Sequence, residues 1–334
     1  MKVLYFLRLV IRLQYVKSVH IASGVFLCLC NCTVGSGRPD VVVEQQKDNI
    51  LIEHFWDTYD FTDTVRVNRL KVTEKILVDY LIQLSRQTEE KACESVRKLV
   101  AKSKADDSVN RWLLQRLEHH LYEPDSPLRN DNYYISVLEE ALISGHLNGM
   151  MRVRPLYQLK MLKKNRVGDI AADFSFTLPA GEVQNLWDIS TEYTLLLFYD
   201  PDCMHCRNDI QQLSDSPAIN TLLQHCESAS PQLALVAICT ESDKDMWREY
   251  QKTLPSTWIN GYDARRVLIE KELYFLRSLP SIYLLGEGKQ VLLKEPSSIS
   301  EVTNYLMNIM NISCCEAPHF PKGSYPLPLS EDSD

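Results

Sequence analysis

The period of the apolar residues changes once along this chain, at Lys163-Lys164-Asn165, and that switch restricts it to two differently built halves. Before the switch the spacing is helical. Ile76, Leu77, Tyr80, Leu81 and Leu84 share one face, with Thr73 as the expected N-cap. Val96, Leu99 and Val100 continue the pattern. Val109, Trp112, Leu113, Leu117 and Leu121 mark another helix, stopped by Glu123-Pro124-Asp125. Val137, Leu138, Ala141 and Leu142 mark one more, closed near Gly145. Strand-like alternation is absent, so residues 37–163 are predicted to form an all-helical bundle. After the switch, short β-type runs at Phe174–Leu178, Thr194–Tyr199, Leu233–Cys239, Ile282–Leu285 and Gln290–Leu293 alternate with helical patterns near 206–226, 243–252, 264–275 and 298–310. That alternation predicts an α/β layer structure with a central sheet over 164–312. The fold class is therefore a two-domain α+β chain, with an N-terminal all-helical bundle and a C-terminal α/β domain. Pro318 to Asp334 carries four prolines and an acidic end, so residues 313–334 are expected to be a flexible tail.

The charge is unevenly spread. The net charge is −8, although residues 1–36 hold four bases (Lys2, Arg8, Arg12, Lys17) and no acid. Residues 166–334 carry 24 acids against 12 bases, so the acidic excess lies in the second half and disfavours nucleic acid as a partner. The basic leader precedes a charge-free apolar run, Ile21 to Leu29, too short to span a bilayer and suited to a signal-peptide core. Residues 1–36 are thus expected to be a signal peptide, with cleavage after Ser36, or a lipoprotein signal. Cys28, Cys30 and Cys32 follow the run; none is preceded by the usual small residue, and Cys32 is the least poor site for a lipid that would anchor the chain to a membrane. A buried N-terminal helix is the alternative. Export to a cell envelope or periplasm would place the ten cysteines where disulfides persist.

The residues that carry chemistry are Phe198-Tyr199-Asp200-Pro201-Asp202-Cys203-Met204-His205-Cys206. An apolar strand ends at Tyr199, an acidic turn follows, and a helix begins at the cysteines. Two cysteines three apart on a first helical turn reach each other with little strain. The sulfur of Cys203 would lie at the helix N-terminus, where unpaired N–H groups and the positive dipole end stabilise a thiolate. Cys206, one turn in, would be more buried and placed to attack a mixed disulfide made by Cys203. His205 could donate a hydrogen bond to the thiolate, or add charge. Asp200 and Asp202 would act in the opposite direction. A zinc site needs two further ligands, and no second C-x-x-C exists; the Cys314-Cys315 pair is adjacent and unsuitably spaced. A purely structural Cys203–Cys206 disulfide is the other alternative. Further on, Leu279-Pro280-Ser281 opens an apolar strand, where a proline cannot serve a central ladder but suits a cis bond beside a site.

Residues about 165–312 resemble a thioredoxin-like domain of the TlpA-like type found in bacterial envelopes. The resemblance rests on Val167-Gly168-Asp169, Ala172-Asp173-Phe174, the strand leading into Cys203-Met204-His205-Cys206, and Leu279-Pro280-Ser281. It implies Cys203 as nucleophile, Cys206 as resolving cysteine and Pro280 as a cis-proline flanking a substrate groove. Two positions depart from the pattern: Ala172 replaces a usual proline, and Asp202 replaces the aromatic residue usual before the first cysteine. The helical half, with Phe55-Trp56-Asp57 and Ser126-Pro127-Leu128-Arg129-Asn130, resembles an uncharacterised all-helical domain that precedes thioredoxin-like domains in envelope proteins.

The expectation is an exported thiol-disulfide oxidoreductase that needs no metal or organic cofactor. Its partners would be thiol- or disulfide-containing proteins and an external redox partner. A peroxidase would need Pro-x-x-x-Thr/Ser-x-x-Cys, and residues 196–203 lack both the proline and the hydroxyl. The remaining alternative is a non-catalytic thioredoxin-like binding module whose helical domain recruits a partner. The other cysteines are expected to do less. Cys93 reads as a small helical core residue, and Cys239 ends a strand on the side of the cysteine pair. Cys226, next to a rim His225, is not expected to pair with Cys239, and Cys314 and Cys315 lie after the last helix. His119 and His120 point about 100° apart on a helix, poor geometry for a metal.

Overall fold

The computed structural model describes residues 52, 54–62, 70–143, 147–224, 232–241 and 243–309. The expectations for the leader, Cys28, Cys30, Cys32, Gly145, His225, Cys226, Cys314, Cys315 and the tail lie outside the described residues. The chain divides into two compact units, Met1–Lys164 and Asn165–Asp334.

The first unit contains α1 (Leu70–Leu84), α2 (Glu89–Ser103), α3 (Asp107–Leu121), α4 (Asp131–Ile143) and α5 (Val153–Leu162). Their 3.6-residue stripes meet in one core: Leu77, Tyr80 and Leu84 of α1, Val96, Leu99 and Val100 of α2, and Leu117 of α3 are at most marginally exposed. The Tyr80 hydroxyl reaches Ser95 Oγ at 2.7 Å, so the one polar atom of that buried ring is satisfied inside the core. Phe55 and Trp56 lie 5.1 and 5.3 Å from the Tyr80 ring, so the segment before α1 adds aromatic contacts to it. Asp106 caps α3 by accepting from the amides of Ser108 and Val109. Thr73 is not a cap. It lies inside α1, buried, with its hydroxyl 3.2 Å from that of Tyr59, because the helix starts three residues earlier at Leu70. The last helix, α5, was not separately legible, since it begins after a 3₁₀ turn and carries Pro155 in its first turn.

The second unit is a seven-stranded sheet in the order β2-β1-β5-β4-β3-β6-β7. The strands are β1 (Ser175–Thr177), β2 (Val183–Asn185), β3 (Tyr193–Tyr199), β4 (Leu233–Cys239), β5 (Ile259–Tyr262), β6 (Ser281–Leu285) and β7 (Val291–Lys294). The central three, β5, β4 and β3, run parallel, while β6 and β7 continue antiparallel on one side and β1 and β2 on the other. Both faces of the centre are covered, so β3 and β4 read as unbroken apolar runs. The helices are α6 (Met204–Ser214), α7 (Pro217–Leu223), α8 (Lys244–Tyr250), α9 (Val267–Glu270) and α10 (Ile299–Ile309).

Three boundaries depart from the sequence pattern. The helical run near 206–226 is two helices, because Asp215 ends one and Ser216-Pro217 starts the next. The pattern near 264–275 holds only α9, which stops where Glu272 takes a left-handed φ of 48°. Strand β5 was missed since Asn260 and Gly261 interrupt its apolar run. No described helix is long and apolar enough to cross a membrane.

Candidate active site

The site grows from the carboxyl end of β3. After Tyr199 the chain turns on Asp200: its Oδ1 accepts from the Asp202 amide at 2.8 Å and its carbonyl from the Cys203 amide at 3.2 Å. Arg207 braces the turn by donating from Nε to the Pro201 carbonyl at 2.8 Å. This fixes Cys203 as the N-cap of α6, in extended conformation, with its sulfur accepting from the Cys206 amide at 3.3 Å. The sulfur thus fills the capping role that a serine or aspartate oxygen ordinarily takes.

The two cysteines differ in the way their positions on the helix dictate. Cys203 is partly exposed and Cys206 wholly buried, both as free thiols. Burial pushes the Cys206 thiol far above its ordinary value of 9.0; a backbone hydrogen bond at Asp200 opposes this, and the neighbouring Cys203 adds to it. Beside Cys203 lies the Leu279-Pro280 bond, which is cis, immediately before β6. The Cys203 thiol donates to the Leu279 carbonyl at 3.5 Å. Cys203, Cys206 and Pro280 therefore meet in one place although 74 residues separate Cys206 from Pro280 in sequence. The Leu279 carbonyl itself was not singled out from sequence; its position just before Pro280 was the available signal.

His205 stands apart. It is exposed, its charge acts on the half-buried Asp209 one turn on, and among the described residues no hydrogen bond joins its ring to Cys203. Met204, next to Cys203, is 82% exposed.

Cys239 lies opposite Tyr199 in the β3–β4 ladder, in the same buried cluster as Cys206. Burial pushes its thiol up to about 12, against a backbone hydrogen bond at Glu241 and with smaller help from the charges of Asp200 and Glu241. Tyr199 and Tyr250 approach at 5.7 Å, and Trp247 stacks on Tyr262 at 5.0 Å, so an aromatic wall closes the space behind the pair. In the helical unit, Cys93 is buried and His120 is held by Glu74 at 2.6 Å. Among the described residues no group of three His, Cys, Asp or Glu side chains is placed to hold a metal ion.

Over 84% of its length the chain is similar to a thioredoxin-like protein from Bacteroides caccae, at 32% identity and a TM-score of 0.76, covering 99% of that chain. The chain belongs to the thioredoxin-like proteins. Residues 39–165 match the model of a family described as a domain of unknown function, DUF5106. The C-terminal domain of an uncharacterized protein from Bacteroides fragilis is 36% identical, covering 42% of this chain and 97% of that one, with a TM-score of 0.39. The thioredoxin domain of a thiol-disulfide oxidoreductase from Bacteroides vulgatus is 18% identical, covering 43% and 97%, with a TM-score of 0.38. No curated protein matches.

Within the thioredoxin-like unit, both departures from the TlpA-like pattern have a local reason. The Ala172 amide donates to Asn165 Oδ1 at 2.9 Å, a bond that a proline lacks the hydrogen to make. The Ala172 carbonyl accepts from the Tyr274 hydroxyl at 2.6 Å, so this segment is pinned from both sides. Asp202 is exposed and 3.5 Å from Arg207 Nη2, which puts a carboxylate where the TlpA-like pattern has an apolar ring.

Proposed function

We propose that this thioredoxin-like protein is an exported thiol-disulfide oxidoreductase that acts on cysteines of envelope proteins through Cys203 and Cys206. One observation carries the reading: a partly exposed thiol at a helix N-cap, a buried thiol one turn behind it, and a carbonyl facing the first from a loop beside it. The N-terminus of a helix is where a thiolate is best stabilised. In the reducing direction, the Cys203 thiolate attacks one sulfur of a substrate disulfide. The new S–S bond joins Cys203 to the substrate, and the other substrate sulfur leaves as a thiolate. Cys206 then gives up its proton and attacks Cys203, forming the Cys203–Cys206 disulfide and releasing the second substrate thiol. Two electrons pass to the substrate, and an external dithiol restores the pair. The reverse sequence oxidises a substrate dithiol.

Pro280 would flank the groove in which the substrate segment lies. The basic leader and the apolar run Ile21 to Leu29 support export to the envelope or periplasm, with a lipid on Cys32 as the form that would anchor it to a membrane. The test is turnover of a protein disulfide by the full chain with a chemical dithiol. Wild type should turn over, Cys203→Ser should be inactive, and Cys206→Ser should accumulate a mixed disulfide through Cys203. A wild-type chain without turnover, and without a Cys203–Cys206 disulfide on oxidation, would refute the proposal.

A further inference from the structure

The site depends on a loop, residues 271–280, that carries the Leu279 carbonyl to the Cys203 sulfur. Two residues before Leu279, Arg277 turns inward. Its Nε and Nη2 donate to Glu295 Oε2 at 3.0 and 2.6 Å, and both side chains are nearly inaccessible, 5% and 6% exposed. Its guanidinium also lies 5.5 Å from the centre of the Phe275 ring. Glu295 follows β7 directly, and its amide donates to the Ile282 carbonyl of β6 at 2.7 Å. The ion pair therefore ties the middle of the loop to the β6–β7 end of the sheet, next to the strand that Pro280 precedes.

A buried ion pair is a costly way to gain stability, because desolvating both charges offsets most of their attraction. What it supplies is a fixed geometry, since two donors converge on one oxygen from a planar group. The sulfur that this loop meets by hydrogen bond is that of Cys203.

We propose that Arg277 and Glu295 are positioning residues for the redox pair: their ion pair holds the Leu279 carbonyl against the Cys203 thiol and so sets how readily that sulfur reacts. A carbonyl that accepts from the thiol stabilises the protonated, reduced form. Released from the clamp, the loop would withdraw that hydrogen bond, and the reduced pair would lose its stabilisation relative to the disulfide. The inference rests on the redox reading of Cys203 and Cys206, and it extends it to residues that touch neither sulfur.

The test uses the full chain in four forms: wild type, Glu295→Gln, Arg277→Lys, and the double variant Arg277→Met with Glu295→Leu. The double variant leaves no unpaired buried charge, so it keeps a fold that Glu295→Gln could lose. Circular dichroism establishes folding, the glutathione redox equilibrium of the pair is measured, and the alkylation rate of Cys203 is read by peptide mass spectrometry at one neutral pH. Asp200, Asp202, His205 and Arg207, the other charged groups around the thiol, are the same in all four.

The expected result for the folded double variant is an equilibrium moved toward the disulfide by about fivefold, the loss of roughly one net hydrogen bond. Its Cys203 should also alkylate several-fold faster. Arg277→Lys, which retains the charge but not the two-donor grip, should fall between wild type and the double variant. A folded double variant with wild-type equilibrium and wild-type alkylation overturns the proposal and leaves the pair as structural. Failure of the redox reading would show differently. Wild type itself would then form no disulfide with glutathione, while the alkylation comparison would still report on the clamp.

Discussion

At the scale of single residues, the division of labour proposed for Cys203 and Cys206 rests on one helical turn. A sulfur at the N-cap receives the Cys206 amide and stays in reach of solvent, while the sulfur three residues on is carried under the sheet among Tyr199, Ile210 and Leu213. Burial holds the Cys206 and Cys239 thiols in their protonated form at neutral pH, and a protonated thiol is a poor nucleophile. Brief alkylation of the fully reduced chain near pH 7 should therefore label Cys203 well before Cys206, Cys239 or the buried Cys93, as mapped by peptide mass spectrometry. Equal labelling of Cys203 and Cys206 would contradict the assignment of Cys203 as the attacking sulfur. This part of the site was legible because C-x-x-C after an apolar strand has few physical outcomes. The position of His205 was not legible. One residue beyond Met204 on α6, its ring lies on a face that the heptapeptide around it does not determine, and the fold turns that face to Asp209 and water.

At the scale of elements, legibility tracked how completely an element is buried. Strand β4 is buried at every position, so Leu233–Cys239 stood out as an unbroken apolar run and has those same bounds in the fold. Strand β2 is an exposed edge strand of three residues, Val-Gln-Asn, with no apolar signature to read. Strand β5 was hidden for a different reason, since the residue that interrupts its pattern is there for packing. A Cβ on Gly261 would stand 2.5 Å from Phe176 Cδ2 and 2.6 Å from Ile238 Cδ1, both in the fully packed second face of the sheet. Close packing admits no such atom without displacing the Phe176 ring, which is 1% exposed. Gly261→Ala should accordingly destabilise the protein by about 1–3 kcal/mol, read from the denaturant midpoint at unchanged slope. An unchanged midpoint would mean that β5 shifts freely, and that its pairing with β4 does not constrain the sheet. Helices followed the same logic: α3 was placed to within two residues by its stripe and stop signals, whereas α9 was overestimated because Leu273 to Leu276 are apolar for the sake of the loop core, not of a helix.

At the scale of the whole molecule, several buried tyrosines and two buried cysteines share one titration behaviour that should govern its alkaline limit. Tyr80 and Tyr134 in the helical unit and Tyr199 and Tyr274 in the thioredoxin-like unit are all held above their ordinary value of 10.0, chiefly by burial. Cys206 and Cys239 are likewise held above 9.0. For each of these groups the folded state binds its proton more tightly than the unfolded chain does. Its contribution to stability is complete below the unfolded value and is lost as pH rises past it. Lys289 opposes them. Buried against the Ile189 carbonyl and Thr194 Oγ1, it is held below 10.5, so its burial cost shrinks as pH rises through that window. Among the described residues Tyr133, Tyr193, Tyr250 and Tyr262 are raised as well, so these groups outweigh Lys289 and the sign is clear: the reduced protein should lose stability steadily from about pH 9 to pH 11. Melting temperature measured across that range checks the slope, and tyrosinate absorbance near 295 nm checks the cause. The buried tyrosines should ionise only as the far-ultraviolet dichroism is lost. Full tyrosine ionisation with the dichroism intact would show that water reaches these hydroxyls in the native fold, and the alkaline instability would then need another source.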